Sequence, residues 1–453
     1  MSRLNTLAAR LQLPPVMLAF ALVALAMTLL SIAYTLTTTY ILKLPYPYGA
    51  PLFFLDDRWF DFAIYSTRFQ HFRTPSFWDD YGYPFTYPAH VAIIYGVVYK
   101  IPHAVRYHLI AYAAETVAAA LIFRRHLVAR GIGGIAAIAF TFIFFVFNYP
   151  IRTLFESANT EGMVAIIAAF GLYHLLRDRC YLGGALIAIA GTMKIFPFIL
   201  LALLLSKRRY REFAFAIAVA VAVNYASLAI VGPTIAEAQR HVAEGIQFVR
   251  YTFIYSTSPA AVTFNHSLFT FVKFPVSLIY WHFHPYVIDA HTDWVGINVT
   301  ERHNQNIAFL IYVTVAGAFG FFAYFRWIRQ LPMLNQLLAL TVCALILPPL
   351  SADYTLLHTL FPFSILCLYA ADRWRKNIEV AGLKACFLCF PAIFCFQTYL
   401  PWGERFSCEF RTAAMVVLLV LVIRHRFPWD ELDAPNPETL QCPGAPFIAA
   451  SSR

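Results

Sequence analysis

The sequence predicts an all-α fold, a polytopic bundle of transmembrane helices, and three observations carry that prediction. The 453-residue chain is 60% hydrophobic and 13% charged, whereas soluble domains carry about 25% charged residues. Its mean hydropathy of +0.62 is too apolar for a water-soluble core. Apolar runs recur along the chain near the length of roughly 20 residues that a helix needs to cross a bilayer. We therefore expect about 10 to 12 spans.

Apolar runs place most of these spans directly. The first follows Arg3 and Arg10, which indicates a signal anchor with its amino terminus in the cytoplasm. The predicted spans are residues 15–38, 105–123, 133–149, 160–176, 212–231, 306–325, 333–349, 354–371, 381–400 and 410–423. The segment VAIIYGVVYK is too short to cross, and a half-helix that returns to the outer side keeps Arg124 and Arg125 in the cytoplasm.

The basic residues cluster where apolar runs end, which is the Lys/Arg bias of cytoplasmic loops. The formal net charge of +10 therefore reflects membrane topology and does not indicate a nucleic-acid partner. These clusters are Arg124 to Arg130, Arg177 and Arg179, Lys207 to Arg211, Arg373 to Lys376, and Arg424 with Arg426. Basic residues flank both ends of GGALIAIAGTMKIFPFILLALLLSKRRYR, so one straight helix would separate two cytoplasmic flanks. We predict a hairpin of two arms, 183–193 and 198–206, that is broken between Lys194 and Pro197.

The polar stretches then fall on the outer side, and the first of them, residues 39–90, forms a large loop. The others are residues 150–159, 232–268, 284–305, 350–354 and 401–409. One membrane domain over residues 1–426 accounts for the pattern, followed by a Pro-rich, disordered cytoplasmic tail at 427–453. The eight scattered cysteines read as small buried hydrophobes, and no motif for a metal or a nucleotide is present.

Six segments along the outer side form an ordered series. They are DFAIY (61–65), YPFTYPAHVAIIY (83–95), FESANTEG (155–162), GTMKIFPFILLALLLSKRR (191–209), FNHSLF (264–269) and LPPLSADYTLL (347–357). In this order the set resembles glycosyltransferase family 87 of the GT-C superfamily, over roughly residues 15 to 370. The chain departs from the family pattern at Ala89, where a second proline is usual, and SADY lacks a paired histidine, so no late histidine receives a role.

The resemblance implies an integral membrane transferase in a bacterial inner or plasma membrane, with its active site on the extracytoplasmic face. A hexose, with mannose expected, would move from a polyprenyl-phosphate-sugar donor to a lipid-linked or polysaccharide acceptor. The expected partners are membrane lipids, the donor, and a glycolipid or glycan acceptor. No cofactor and no metal is expected, since inverting transfer needs a base and positive charge on the leaving phosphate.

The resemblance assigns the general base to Asp61, the acid of DFAIY. Asp56 and Asp57 are the other candidates, and the alternative for them is an ion pair with Arg58. Lys194 is the first candidate for the donor phosphate, because a lysine inside the membrane is costly; its alternative is a lysine that snorkels to the headgroups. Further candidates for the phosphate are His266, Arg68 and Arg152.

The candidates for sugar or acceptor contact are Tyr87, Glu156, Asn159, Glu161, Asn265, Ser267, Asp353 and Tyr354. Each has a local alternative: backbone hydrogen bonds for Asn265 and Ser267, helix-start chemistry around residue 159, and capping for Asp353. A transporter or lipid flippase would also place a lysine and carboxylates near the membrane. A structural membrane subunit is the third interpretation, and the concentrated acidic loop argues against it.

Overall fold

The computed structural model describes residues 2–44, 59–65, 68–80, 83–255, 265–283, 299–394 and 407–433. These residues form an all-α polytopic bundle, which confirms the predicted fold class. One antiparallel pair of two-residue strands, Asp79–Asp80 and Tyr83–Pro84, interrupts the helices.

The α-helices before the hairpin are Ser2–Leu11, Pro15–Thr35, Phe60–Ala63, Pro75–Trp78, Ala89–Val98, Ala104–Ala129, Gly134–Val146, Tyr149–Ser157 and Glu161–Leu176. Those from the hairpin onward are Cys180–Met193, Ala202–Ser206, Tyr210–Val231, Ile235–Val249, Leu268–Phe283, Val299–Arg326, Met333–Ile346, Leu360–Arg375, Leu383–Phe394, Ser407–Arg424 and Asp430–Asp433. Tighter 3-10 turns are Arg68–His71, Phe196–Leu201, Ile328–Gln330 and Asp353–Thr359, and π-helical turns are Leu36–Ile41 and Arg250–Ile254.

Each of the ten apolar runs predicted as spans coincides with a helix. Among the described residues, four helices are long and apolar enough to cross a membrane, and a fifth span results if Gly134–Val146 and Tyr149–Ser157, bent by 47°, count as one. Asn148 causes this bend, because its side chain accepts a hydrogen bond from the Ile151 N–H and starts a new helix. Six further apolar helices have 10–17 residues. The total of about 10 to 12 spans stays a prediction.

The core is built from aromatic and aliphatic side chains of helices that are distant in sequence. The Phe363 ring lies 4.7 Å from the Phe20 ring and 4.2 Å from the Phe390 ring, measured between centroids. These contacts join the first span, Pro15–Thr35, to the helices Leu360–Arg375 and Leu383–Phe394. The helix Pro15–Thr35 is therefore an integral part of the bundle.

The predicted hairpin is confirmed. The helix Cys180–Met193 ends where Lys194 becomes extended, with φ −146° and ψ 133°, and Pro197 opens the 3-10 turn Phe196–Leu201. The two flanks meet, since Lys207 Nζ lies 2.8 Å from Asp178 Oδ1. A helix of 14 residues is about 21 Å long, so the hairpin tip at Lys194 lies about 21 Å from the flank that contains Asp178 and Lys207.

The basic segments predicted to share one side of the membrane lie together, and we call this side the basic end. The contacts that join it are Gly133 N with Gln12 O (3.3 Å), Lys207 Nζ with Asp178 Oδ1 (2.8 Å), Gln336 Nε2 with Arg329 O (3.3 Å), Asn335 Nδ2 with His425 O (2.7 Å), and Arg373 with Pro428 O. The tip of the hairpin, at Lys194, lies at the opposite end of the bundle.

The predicted half-helix has the expected length, whereas the start of the predicted tail differs. Ala89–Val98 is a helix of 10 residues, about 15 Å long, which is half of a bilayer crossing. Phe427 and Trp429, placed by sequence in the tail, are buried in the core. The packed chain therefore continues to that point, and residues 434–453 lie outside the described residues.

Candidate active site

Asp61 stands on the short helix Phe60–Ala63, which neighbouring segments hold on both sides. The Trp59 N–H donates to the Glu156 carbonyl at 2.6 Å, and the Tyr99 hydroxyl donates to the Phe62 carbonyl. These bonds fix the backbone immediately before and after Asp61. Its side chain is half-buried and directed at the start of the helix Glu161–Leu176.

Asn159 joins Asp61 to the tip of the hairpin. Its Nδ2 donates to Asp61 Oδ2 at 2.9 Å and contacts the Tyr87 hydroxyl oxygen at 3.0 Å. Its Oδ1 accepts from Lys194 Nζ at 3.1 Å and from the Glu161 N–H at 2.9 Å. The last bond is the helix-start chemistry that the sequence offered as the alternative. Asn159 therefore binds the first N–H of the helix Glu161–Leu176 and also bridges Asp61 to Lys194.

Lys194 lies between acidic and aromatic groups. Its Nζ is 2.9 Å from Glu161 Oε2, and it lies over the Tyr354 ring at 4.6 Å and the Tyr87 ring at 5.6 Å, measured to the centroids. The Lys194 side chain is 16% exposed, whereas the Glu161 side chain is fully buried. Lys194 is therefore held inside the protein at the site, which argues against snorkelling to the headgroups.

Sequence reasoning missed two members of this cluster. His358 Nε2 lies 2.6 Å from Glu161 Oε1, and the Tyr112 hydroxyl donates to the Asn159 carbonyl at 2.6 Å. His358 comes four residues after Tyr354 in SADYTLLH, so a histidine at the entry to an apolar helix was an available signal. Tyr112 lies inside an apolar run and gave none.

Burial raises the pKa of the Asp61 carboxyl above its ordinary value of 3.8, while the Asn159 hydrogen bond and the Lys194 charge oppose that rise. A raised pKa makes a carboxylate a stronger proton acceptor. The local environment therefore suits Asp61 for general-base chemistry, and Asn159 sets part of its proton affinity.

A second buried cluster surrounds Asp353. Its Oδ1 accepts from Arg411 Nη1 at 2.8 Å, and its Oδ2 accepts from the Tyr149 hydroxyl at 2.5 Å. His266 Nδ1 lies 3.6 Å from Oδ1, and burial lowers the pKa of His266 although Asp353 opposes the shift. Potential metal-ligand atoms of His266, Asp353 and Cys408 lie within 4.8 Å of one another, but Arg411 already supplies the positive charge at Asp353.

The FNHSLF and LPPLSADY segments bind each other. Asn265 Oδ1 accepts from the Ser351 N–H at 2.9 Å, and Ser267 Oγ donates to the Pro349 carbonyl at 3.0 Å. His266 Nε2 lies 2.8 Å from Ser351 Oγ. Asn265, His266 and Ser267 are buried. The predicted backbone-satisfying alternative therefore describes the contacts of Asn265 and Ser267.

The remaining candidates are spread around these clusters. Arg152 is mostly buried and pairs with Glu156 at 2.8 Å, within one helix. Arg68 is buried with its guanidinium over the Tyr65 ring, 5.2 Å from the centroid. Asp56 and Asp57 lie outside the described residues. Of the predicted residues, the structure brings together Asp61, Tyr87, Asn159, Glu161, Lys194 and Tyr354.

An apolar groove of about 1030 Å³ lies beside the Asp61 helix. Trp59 and Tyr99 line it next to that helix, and Val105, Leu109 and Ala113 supply one face of Ala104–Ala129. Tyr112, one position from Ala113, reaches the Asn159 carbonyl instead. One helix therefore borders both the groove and the polar cluster.

Comparison with known proteins identifies a family for the chain. A family model described as glycosyltransferase family 87 matches residues 85–351, more than half of the chain. No curated protein and no solved structure matches the chain. The matched range contains Asn159, Glu161 and Lys194, and it begins after Asp61.

Proposed function

Because the chain belongs to glycosyltransferase family 87, we propose that this membrane glycosyltransferase moves a hexose, with mannose expected, from a polyprenyl-phosphate sugar to an acceptor hydroxyl. The acceptor is a lipid-linked glycan or a polysaccharide. The observation that carries the proposal is the Asp61–Asn159–Lys194 bridge, which links a candidate base to a cation through one amide. The transfer uses no cofactor or metal and occurs on the extracytoplasmic face of a bacterial inner or plasma membrane.

In the proposed step, the acceptor oxygen attacks the anomeric carbon of the donor sugar while its proton passes to the Asp61 carboxylate. The bond between that carbon and the phosphate oxygen breaks, and polyprenyl phosphate leaves as an anion from the opposite face. The configuration at the anomeric carbon is therefore inverted. A base that accepts the proton as the bond forms contributes about 10² to 10⁴ in rate.

Lys194 is the proposed contact for the leaving phosphate. An ammonium has three N–H donors, and among the described residues two are directed at Glu161 and Asn159. The remaining donor is suited to a phosphate oxygen on which negative charge develops. Tyr87 and Tyr354, whose rings lie beside Lys194, are the proposed sugar contacts.

The apolar groove beside Trp59 is the proposed entry for a lipid chain. Its lining continues onto exposed apolar residues of Ala104–Ala129, such as Ile110, so a chain in the bilayer can reach it. Trp59 is two residues from Asp61. A lipid held there would bring its polar end toward the proposed base.

The direct test incubates purified protein with radiolabelled polyprenyl-phosphate mannose and a membrane extract as the source of acceptor. We expect label to move into an extractable product, and Asp61→Asn to reduce the rate by at least about 100-fold. Glu244→Gln, which neutralises a half-exposed acid far from the cluster in sequence, is the matched control. Wild-type rates in folded Asp61→Asn would remove Asp61 from the mechanism, and uptake by vesicles without a glycosidic product would favour transport.

A further inference from the structure

A small polar pocket lies at the basic end, outside the candidate active site. It encloses about 300 Å³ and is lined by Ser206, Arg208, Phe325, Arg329 and Gln330. Two guanidinium-bearing side chains from distant segments thus border one pocket, and none of its described lining residues is acidic. An anion placed between two such side chains relieves the repulsion between their like charges.

The basic residues on either side of Arg208 have carboxylate partners. Lys207 pairs with Asp178 at 2.8 Å, and Arg209 approaches Glu212 at 3.7 Å. Among the described residues, Arg208 has no such carboxylate partner. Its backbone is left-handed, with φ +57°, an uncommon conformation for a residue other than glycine. This turn joins the hairpin to the helix Tyr210–Val231 and presents Arg208 at the pocket.

The other wall comes from the end of Val299–Arg326. The Arg329 guanidinium lies over the Phe325 ring, 5.8 Å from its centroid, and Ser206 Oγ lies 2.9 Å from the Tyr324 hydroxyl oxygen. The hydroxyl and amide groups of Ser206 and Gln330 add hydrogen-bonding capacity beside the charges. Such a donor set matches phosphate oxygens.

An exposed apolar surface leads away from this pocket. Phe322 is 54% exposed and Phe325 is 41% exposed, and the Trp327 ring packs against Phe322 with centroids 5.4 Å apart. Tryptophan is enriched where the hydrocarbon meets the headgroups. A Trp at this position is typical of the depth at which lipid headgroups lie. The exposed helix face of Phe322 and Phe325 beside the pocket could contact an acyl chain.

We propose that this pocket binds the phosphate of an anionic phospholipid in the leaflet at the basic end, with an acyl chain along Phe322 and Phe325. Basic pockets between transmembrane helices bind such headgroups. The site is separate from the proposed transfer chemistry and does not depend on it. Its occupant would brace the hairpin against Val299–Arg326, because Arg208 directly follows the hairpin and Arg329 lies in the turn that follows that helix.

The test measures lipid binding to the full chain by native mass spectrometry, with phosphatidylglycerol and phosphatidylcholine as probes. We expect one phosphatidylglycerol to bind more tightly than phosphatidylcholine. The double variant Arg208→Gln/Arg329→Gln should weaken it about thirtyfold, since two basic side chains contribute near an anionic lipid. The double variant Arg208→Lys/Arg329→Lys should retain part of the preference.

The matched control is Arg211→Gln/Arg326→Gln, which removes the same charge from the same two segments outside the pocket lining. It should bind phosphatidylglycerol as the wild type does. Equal weakening in both glutamine doubles, or in neither, would overturn the proposal. Displacement of the lipid by glycerol phosphate at equal concentration would also overturn it, because the site would then recognise a soluble phosphate. Circular dichroism melting verifies that each variant is folded.

Discussion

The Asn159 side-chain amide lies 2.9 Å from the Asp61 carboxylate, and this bond links the short helix Phe60–Ala63 to the hairpin tip through Lys194. Groups separated by 133 positions in the sequence, Asp61 and Lys194, thereby share one bridging residue. The bond has an electrostatic consequence, because a donor directed at a carboxylate favours the charged form. Four predictions follow from this cluster, from the Asp353 cluster and from the basic end.

The first prediction concerns pH. A general base works as the carboxylate, so transfer is lost as pH falls through the pKa of Asp61, which burial raises above 3.8. Asn159→Ala removes a bond that lowers this pKa. We expect the acid limb of the rate profile to move to higher pH by about one to two units, since a hydrogen bond to a charged group contributes about 1.5–3 kcal/mol. An acid limb at the wild-type pH would contradict the assignment.

The second prediction separates the structural and chemical roles of Lys194. Lys194→Met leaves the fully buried Glu161 without its ammonium partner, so we expect a loss of about 3–5 kcal/mol in the free energy of unfolding. The double variant Lys194→Met/Glu161→Gln should recover much of that stability, yet transfer should stay low because the phosphate contact is missing. Melting in detergent and transfer assays measure the two effects. Recovery of both together would assign Lys194 a structural role alone.

The third prediction concerns Asp353, which the sequence offered as a substrate contact. Its two carboxylate oxygens are bonded to Arg411 and Tyr149 inside the protein, so its contacts favour a structural role. Arg411→Met should destabilise the fold by about 3–5 kcal/mol. Asp353→Asn/Arg411→Met should recover most of this loss and transfer sugar at the wild-type rate per folded molecule. A stable double variant without activity would return Asp353 to the substrate site.

The fourth prediction tests topology. Cysteines introduced as Arg125→Cys and Lys207→Cys should react with an impermeant thiol reagent from the cytoplasmic side, and Glu244→Cys should react from the opposite side. The described native cysteines are buried, which limits background, and Cys395 and Cys442, which lie outside the described residues, are replaced in all three variants. Labelling of positions 125 and 207 from different sides would contradict the hairpin. Labelling of both from outside would invert the orientation of the whole bundle.

Periodicity and charge determined most of the architecture without coordinates. The ten apolar runs are helical over most of their described residues. The two basic flanks of the hairpin were predicted to share one side, and in the structure Asp178 and Lys207 pair there. Pro197 located the break, since proline lacks the N–H that a continuous helix needs. These features are local, so each can be recognised within a short window of sequence.

Pairings between distant segments could not be recognised in that way. Asp61, Asn159 and Lys194 were each predicted as site residues from a separate motif. The sequence did not indicate that Asn159 forms hydrogen bonds with both of the others. It gave Asp353 no partner, because Arg411 and Tyr149 come from helices remote in the chain. His358 received no role because no second histidine lies beside it in the sequence. Its partner Glu161 is almost 200 positions away, so no local pattern indicated the contact.

By itself the sequence determined that the chain is an all-helical membrane protein, and it located the broken hairpin at Lys194 and Pro197. The tertiary structure alone decided which carboxylate serves which cation. Lys194 meets Glu161 and Arg411 meets Asp353, while Asp61 is left with an amide donor. The physical reason is that hydropathy acts on each residue separately, whereas the proton affinity of a buried acid depends on groups that only folding brings within hydrogen-bonding distance.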